Sequence, residues 1–140
     1  MTPEKFLSLT VNSDGGSRGN PGKAACAAVV FDADGEELLT RSRCIGVATN
    51  NVAEYEGAVL ALEMCRELGA GSVHLRMDSE LIVRQIKGRY KVRNAGLKPY
   101  FARVKKLAAE FGKFSVAHVK RGENKRADAL VNAALDGSSE

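Results

Sequence analysis

The chain has no tryptophan, only two histidines, and only three prolines and three cysteines among its 140 residues. The cysteines (Cys26, Cys44, Cys65) are odd in number and each lies in an apolar stretch. That fits buried reduced thiols better than a disulfide framework or a zinc site. No apolar run approaches the ~20 residues that a membrane span needs, so no membrane partner is expected. The opening Met1-Thr-Pro-Glu-Lys-Phe6 has no basic region followed by a long apolar one. A secretory signal is therefore not expected, and a cytoplasmic location is. There is no internal repeat and no low-complexity segment. The length suits one domain over residues 1–140, with a frayed tail at 137–140 and a core large enough to need no staples.

What is present is unevenly distributed. Hydrophobic residues make up 44% and charged residues 27%, which is ordinary for a globular chain. The net charge is only +4, yet 14 Lys/Arg and two acids (Glu110, Glu123) fall between Arg84 and Arg126. The remainder holds 7 basic and 15 acidic residues. A basic half beside an acidic half suits a protein that grips a polyanion with one region and holds cations with the other.

The most informative stretch is Asp14-Gly-Gly-Ser-Arg-Gly-Asn-Pro-Gly22. Before it, residues 6–13 alternate: Ser8, Thr10, Asn12 and Asp14 share one face, and Leu7, Leu9 and Val11 the other. Asp14 is expected to end a strand on its polar side, ahead of a glycine-rich loop able to bring backbone N–H groups close to a phosphate. A carboxylate beside a phosphate cradle calls for a cation between them, although a plain tight turn has the same composition. A P-loop is excluded: Pro21-Gly22-Lys23 is followed by Ala24 and a strand-like run instead of Ser/Thr and a helix. The dinucleotide fingerprint fails for the same reason.

Periodicity and punctuation predict strands ending at Asp14 and over 24–31, 36–45, 72–77 and 114–119. Asp34-Gly35 is the expected turn of the second hairpin. Helices are predicted over 52–68, 79–87, 99–110 and 124–135, with Pro99 suited to a first turn and Gly69 to a helix end. The order βββαβααβα implies an α/β fold, a five-stranded mixed sheet flanked by helices.

Three further acids stand out on these elements. At about 100° per residue, Glu54 aligns with Ala58, Ala61 and Cys65 on the small-residue face of the first helix, while Glu56, Glu63 and Glu67 gather opposite. Val73, Leu75 and Met77 alternate with His74, Arg76 and Asp78, so a second Asp ends a strand on its polar side. Asp128 aligns with Val131 and Leu135 at the edge of the last helix's apolar stripe. Singly, each acid reads as a cap or a rim salt bridge. Together they describe an oxygen-only cage for hard divalent cations, Mg²⁺ or Mn²⁺.

With these pieces, the sequence resembles type 1 ribonuclease H from Lys5 to about Leu135. The matching segments are Asp14 to Gly22, Thr49-Asn-Asn-Val-Ala-Glu54, Met77-Asp-Ser79 and Glu123-Asn-Lys-Arg-Ala-Asp128. The resemblance implies the ribonuclease H-like fold and an endonuclease that hydrolyses the RNA strand of RNA/DNA hybrids. It implies a four-carboxylate site of Asp14, Glu54, Asp78 and Asp128 holding two Mg²⁺ ions about 4 Å apart, with Asp14 and the scissile phosphate between them. Products would carry 5′-phosphate and 3′-hydroxyl ends. Glu54 would also meet a ribose 2′-hydroxyl, the group that separates RNA from DNA. The family's minor-groove contacts map onto Gly19, Asn20, Asn50 and Asn51, with Ser17 nearby, and a phosphate-holding position onto Thr49. The partner is then a hybrid duplex, bound by a monomer.

The chain departs from the family in three places. The loop before the last helix, Val119 to Asn124, is short and has no histidine. The resemblance is to the short-loop, archaeal-like branch, where Arg121 stands in and His118 reads as a structural histidine within the last strand. Glu80 occupies a spot where a Gln often contacts substrate. The long basic protrusion with its tryptophans is reduced to Lys87–Lys98, which implies a weaker, more salt-sensitive grip. Double-stranded RNA is a second substrate to test. The rivals are a DNA nuclease on the same fold, against which Asn20 and the Asn50-Asn51 pair argue, a hybrid-binding module without chemistry, and a structural domain whose acids are caps.

Overall fold

The most apolar strand of the observed sheet lies inside it, with a neighbour on each side. Residues Ala24 to Val30 run without a polar side chain, and every one of them is at most 1% exposed. Such a run is what a strand covered on both faces requires. Cys26, Ala28 and Val30 join the main core, while Ala25 and Ala27 pack with Val131 and Leu135 on the other side.

A computed structural model describes residues 7–138. The strands are β1 (Ser8–Gly19), β2 (Gly22–Phe31), β3 (Glu37–Ala48), β4 (Ser72–Met77) and β5 (Lys113–His118). The helices are α1 (Asn50–Glu67), α2 (Glu80–Ile86), α3 (Lys98–Ala108) and α4 (Lys125–Ser138), with a 3₁₀ turn at Arg121–Glu123. The sheet order is β3-β2-β1-β4-β5. β1, β2 and β3 form the antiparallel meander, and β4 and β5 add in parallel beside β1. This is the expected five-stranded mixed sheet between helices. Among the described residues no helix is long and apolar enough to cross a membrane.

α1 is buried nearly all round: Ala58, Ala61 and Cys65 lie on its small-residue side, and Tyr55, Leu60, Leu62 and Met64 are fully buried as well. Its solvated stripe is narrow, and Glu63 there pairs with Arg43 at 3.5 Å and Arg103 at 3.2 Å.

The glycine run is where the expectation of a loop fails. β1 does not stop at Asp14. It continues through Gly15↔Cys26 and Gly16↔Ala25 to Gly19↔Gly22. The strand ends at Asp14 only in relation to β4, whose pairing stops at Ser13↔Met77. Gly15 is needed for a different reason than a phosphate cradle. A Cβ there would sit 2.1 Å from the Ala53 carbonyl oxygen, and one on Gly57 would sit 2.6 Å from that of Asp14. The two glycines let α1 lie directly on β1 beside Asp14.

Smaller corrections follow from contacts that local pattern does not carry. α1 starts at Asn50, two residues before the expected Val52, because Thr49 caps it, accepting the Val52 N–H at 3.2 Å. α4 runs from Lys125 to Ser138, past the expected end at Leu135, and Ser139 and Glu140 lie outside the described residues, as does Phe6 of the expected first strand. Cys26 and Cys65 are buried, and burial pushes both thiols up to about 12. Cys44 is exposed, because β3 is an edge strand. His118 lies at the end of β5, within the last strand as expected, and is exposed.

Candidate active site

Four elements deliver the acids. Asp14 comes from the middle of β1, on the face that also carries Gly16, where a Cβ would touch Val131 of α4. Glu54 lies one turn into α1, brought down onto β1 by the glycine contact. Asp78 follows the last residue of β4 and precedes Ser79, whose hydroxyl caps α2 by accepting the Ile82 N–H at 3.4 Å. Asp128 lies in the first turn of α4. A single cleft of about 290 Å³ is lined by all four, together with Arg121, Ser17 and Asn50.

The cleft is electrostatically uncomfortable as it stands. Asp14 is 7% exposed. Its carboxyl is pushed up from 3.8 to about 8, mostly by burial and then by the Asp78 charge. Asp128 adds to this by its charge and by lying within hydrogen-bonding reach, and only the Gly15 backbone N–H opposes it. Glu54 is pushed up to about 7, again mostly by burial, with Asp78 adding; a hydrogen bond with Ser79 and the Arg121 charge pull the other way. Concentrated negative charge with too few partners either stays protonated or attracts a cation.

The donor set fits a hard divalent ion: four carboxylates beside hydroxyl and amide oxygens, with no imidazole or thiolate in the cleft. The side chains are not drawn into a finished cage. Among the described residues no group of three or more His, Cys, Asp or Glu is arranged to hold an ion as it stands.

The expected substrate contacts interlock the β1–β2 hairpin with the start of α1. The Asn50 side-chain oxygen accepts the Ser17 N–H at 2.8 Å and the Ser17 hydroxyl at 3.1 Å. Asn20 accepts the Asn50 N–H at 3.1 Å. Gly19 turns the hairpin at φ +102°. Thr49 holds the cap of α1, and Asn51 lies half-buried in its first turn. Ser17 and Asn50 line the cleft, whereas Gly19, Asn20, Thr49 and Asn51 do not. Glu80 is turned to Arg84, 3.2 Å away.

Two residues that the reading of the motifs left without a role contact the acids. Ser79 bonds Glu54, and its signal was the Asp-Ser pair after a strand. Asn124 donates to Asp78 Oδ2 at 3.3 Å and to the Ser13 carbonyl at 2.9 Å. Its only signal was its place four residues before Asp128.

Comparison with known proteins agrees with this architecture. The family described as reverse transcriptase-like matches residues 12–134. A ribonuclease HI of Halobacterium salinarum is 42% identical over 136 residues, covering 97% of this chain and 68% of that one. The bifunctional protein Rv2228c of Mycobacterium tuberculosis is 41% identical over 135 residues, 96% of this chain. The chain spans 37% of the length of that relative. A solved structure of that protein's N-terminal RNase H domain, as a fusion with maltose binding protein, superposes with a TM-score of 0.92 at 40% identity, covering 95% of this chain and 96% of that one. LC11-RNase H1, solved in complex with an RNA/DNA hybrid, superposes with a TM-score of 0.90 at 42% identity, covering 95% of this chain and 100% of that one.

Proposed function

Because this chain belongs to the type 1 ribonuclease H family, we propose that it is a metal-dependent endonuclease hydrolysing the RNA strand of RNA/DNA hybrids, leaving 5′-phosphate and 3′-hydroxyl ends. The observation that carries the reading is the gathering of Asp14, Glu54, Asp78 and Asp128 from four elements into one cleft. A binding module would gain nothing there, since clustered acids repel a phosphate backbone. A purely structural domain has no use for a buried carboxyl held up at about 8.

Asp14, Glu54, Asp78 and Asp128 would hold two Mg²⁺ ions, with Mn²⁺ as a substitute. Bound there, the metal supplies an activated water and neutralises the charge that builds on the phosphate during in-line displacement. The chain's own groups do the rest. Glu54, fixed by Ser79, stands to meet a ribose 2′-hydroxyl, which is where RNA is told from DNA. Asn50, with its oxygen spent on Ser17, keeps its amide N–H groups to donate to sugar and base edges in the minor groove, and Gly19, Asn20 and Asn51 complete that edge. Thr49 would hold a phosphate of the DNA strand. Arg121 carries a fixed positive charge beside Glu54 and would steer the departing phosphate. It is no general base near neutral pH. The enzyme would act as a cytoplasmic monomer, with double-stranded RNA a lesser substrate.

The experiment is cleavage of a labelled hybrid with Mg²⁺, with Mn²⁺ and with chelator, wild type beside Asp78→Asn, against duplex DNA and double-stranded RNA. Metal-dependent cutting of the RNA strand that is lost in the variant supports the reading. Tight hybrid binding without cutting in either metal overturns it.

A further inference from the structure

Asn124 stands where three acid-bearing segments meet, and the needs of the helix that follows it do not explain its contacts. The residue is 0% exposed. Its amide donates to the Ser13 carbonyl on β1, next to Asp14, and to the Asp78 carboxylate, while its backbone carbonyl accepts the Asp128 N–H at 3.1 Å. An asparagine kept to cap α4 would turn its side-chain oxygen to the N–H groups of the first helical turn. Here that oxygen accepts nothing. A buried acceptor left unpaired is a standing cost, tolerated because the amide N–H groups are aimed at β1 and Asp78 instead.

We infer that Asn124 is a positioning residue of the cleft, holding the Asp78 carboxylate and the first turn of α4, with Asp128, in register with Asp14. The inference rests on the ribonuclease H reading of the site. The three acids repel one another; Val131 and Leu135 seat the body of α4 on β2, while the Asp78 carboxylate, past the end of β4, and the first turn of α4 meet at Asn124. One buried amide, tied to β1 by its bond to Ser13, restrains both.

The test uses Asn124→Ala and Asn124→Leu, the second of nearly native volume but without the amide. Mg²⁺ affinity is measured by calorimetry without substrate, kcat and KM on the hybrid, and Tm in chelator. Partners that orient ligating carboxylates typically change metal affinity or activity about 10- to 100-fold. Both variants should bind Mg²⁺ more weakly by about that factor and lose kcat similarly, with KM within about twofold. A merely structural residue would lower Tm and leave Mg²⁺ affinity and kcat within about twofold at temperatures where the variant is folded, and that result overturns the inference. If the alanine variant does not fold, the leucine variant decides by the same thresholds. If wild type binds Mg²⁺ and the variants weaken it, yet no hybrid is cut by any of them, the positioning role stands and the nuclease reading falls.

Discussion

Replacing Asp14 by asparagine should make the metal-free protein more stable while abolishing cleavage. The carboxyl is raised from 3.8 to about 8 by burial, Asp78 and Asp128. Between about pH 4 and pH 8 the native chain therefore keeps a proton that the unfolded chain has released, so stability falls as pH rises through that window. Glu54, raised from 4.5 to about 7, acts with the same sign over a narrower range. A shift of about four units corresponds to roughly 6 kcal/mol at ~1.4 kcal/mol per unit. Water entering the cleft and local relaxation in solution relieve much of it, leaving about 1–3 kcal/mol for the substitution to recover. Asparagine keeps the oxygen that accepts from Gly15 and gains an N–H for Asp128. At about 4 °C per kcal/mol, Asp14→Asn should melt about 4–12 °C above wild type at pH 8 in chelator. That gap should close toward pH 4. Saturating Mg²⁺ should raise the wild-type Tm, by preferential binding to the folded chain, and leave the variant nearly unmoved. Circular dichroism melts across pH 4–8.5, with chelator and with Mg²⁺, read all of this. A variant no more stable than wild type at pH 8, beside a wild-type Tm flat in pH and indifferent to Mg²⁺, would refute the reasoning.

Gly57→Ala places a methyl 2.6 Å from the Asp14 carbonyl oxygen, so α1 must lift off β1. About 2–4 kcal/mol of stability should go in chemical denaturation, and hybrid cleavage should go with it. Asn50→Ala removes both bonds to Ser17 and should raise KM several-fold for about 1 kcal/mol of stability, with kcat little changed, as steady-state kinetics would show. Alanine at Lys87, Arg89, Lys91 and Arg93 together should weaken hybrid binding and flatten its log–log salt dependence by about 2–3 units. An unchanged slope in a salt titration would remove that segment from the interface. Arg121→Lys should keep more activity than Arg121→Ala if a positive charge beside Glu54 is what matters, a comparison of single-turnover rates.

Local pattern was enough wherever a residue's partner lies on its own element. The alternation of Val73, Leu75 and Met77 with His74, Arg76 and Asp78 is a property of one strand, and it appears in the burial unchanged. Glu54 could be separated from Glu56, Glu63 and Glu67 because a helix repeats every 3.6 residues whatever it packs against. The apolar run that follows Lys23 was likewise legible as a strand, although its cover on both faces came only with the packing. Resemblance of four spaced motifs then named the acids.

Other features could not be read along the chain. Glycine has no side chain and so no periodicity, which is why β1 seemed to stop at Asp14 when it runs to Gly19. The reason for Gly15 lies across the sheet, in a helix backbone that leaves no room for a Cβ. Cys44 and His118 have ordinary apolar neighbours in sequence and end up exposed, because edge position is decided by strand order. Asn124 meets Ser13 across 111 residues, and no local rule joins positions so distant. The sequence by itself determined the elements, their buried faces and the four acids, since these follow from side-chain chemistry repeated at the period of the backbone. Only the tertiary structure decided that the acids share one cleft, how far burial raises Asp14 and Glu54, and what tethers Asp78 and Asp128, because distance and solvent exclusion exist only once the elements have packed.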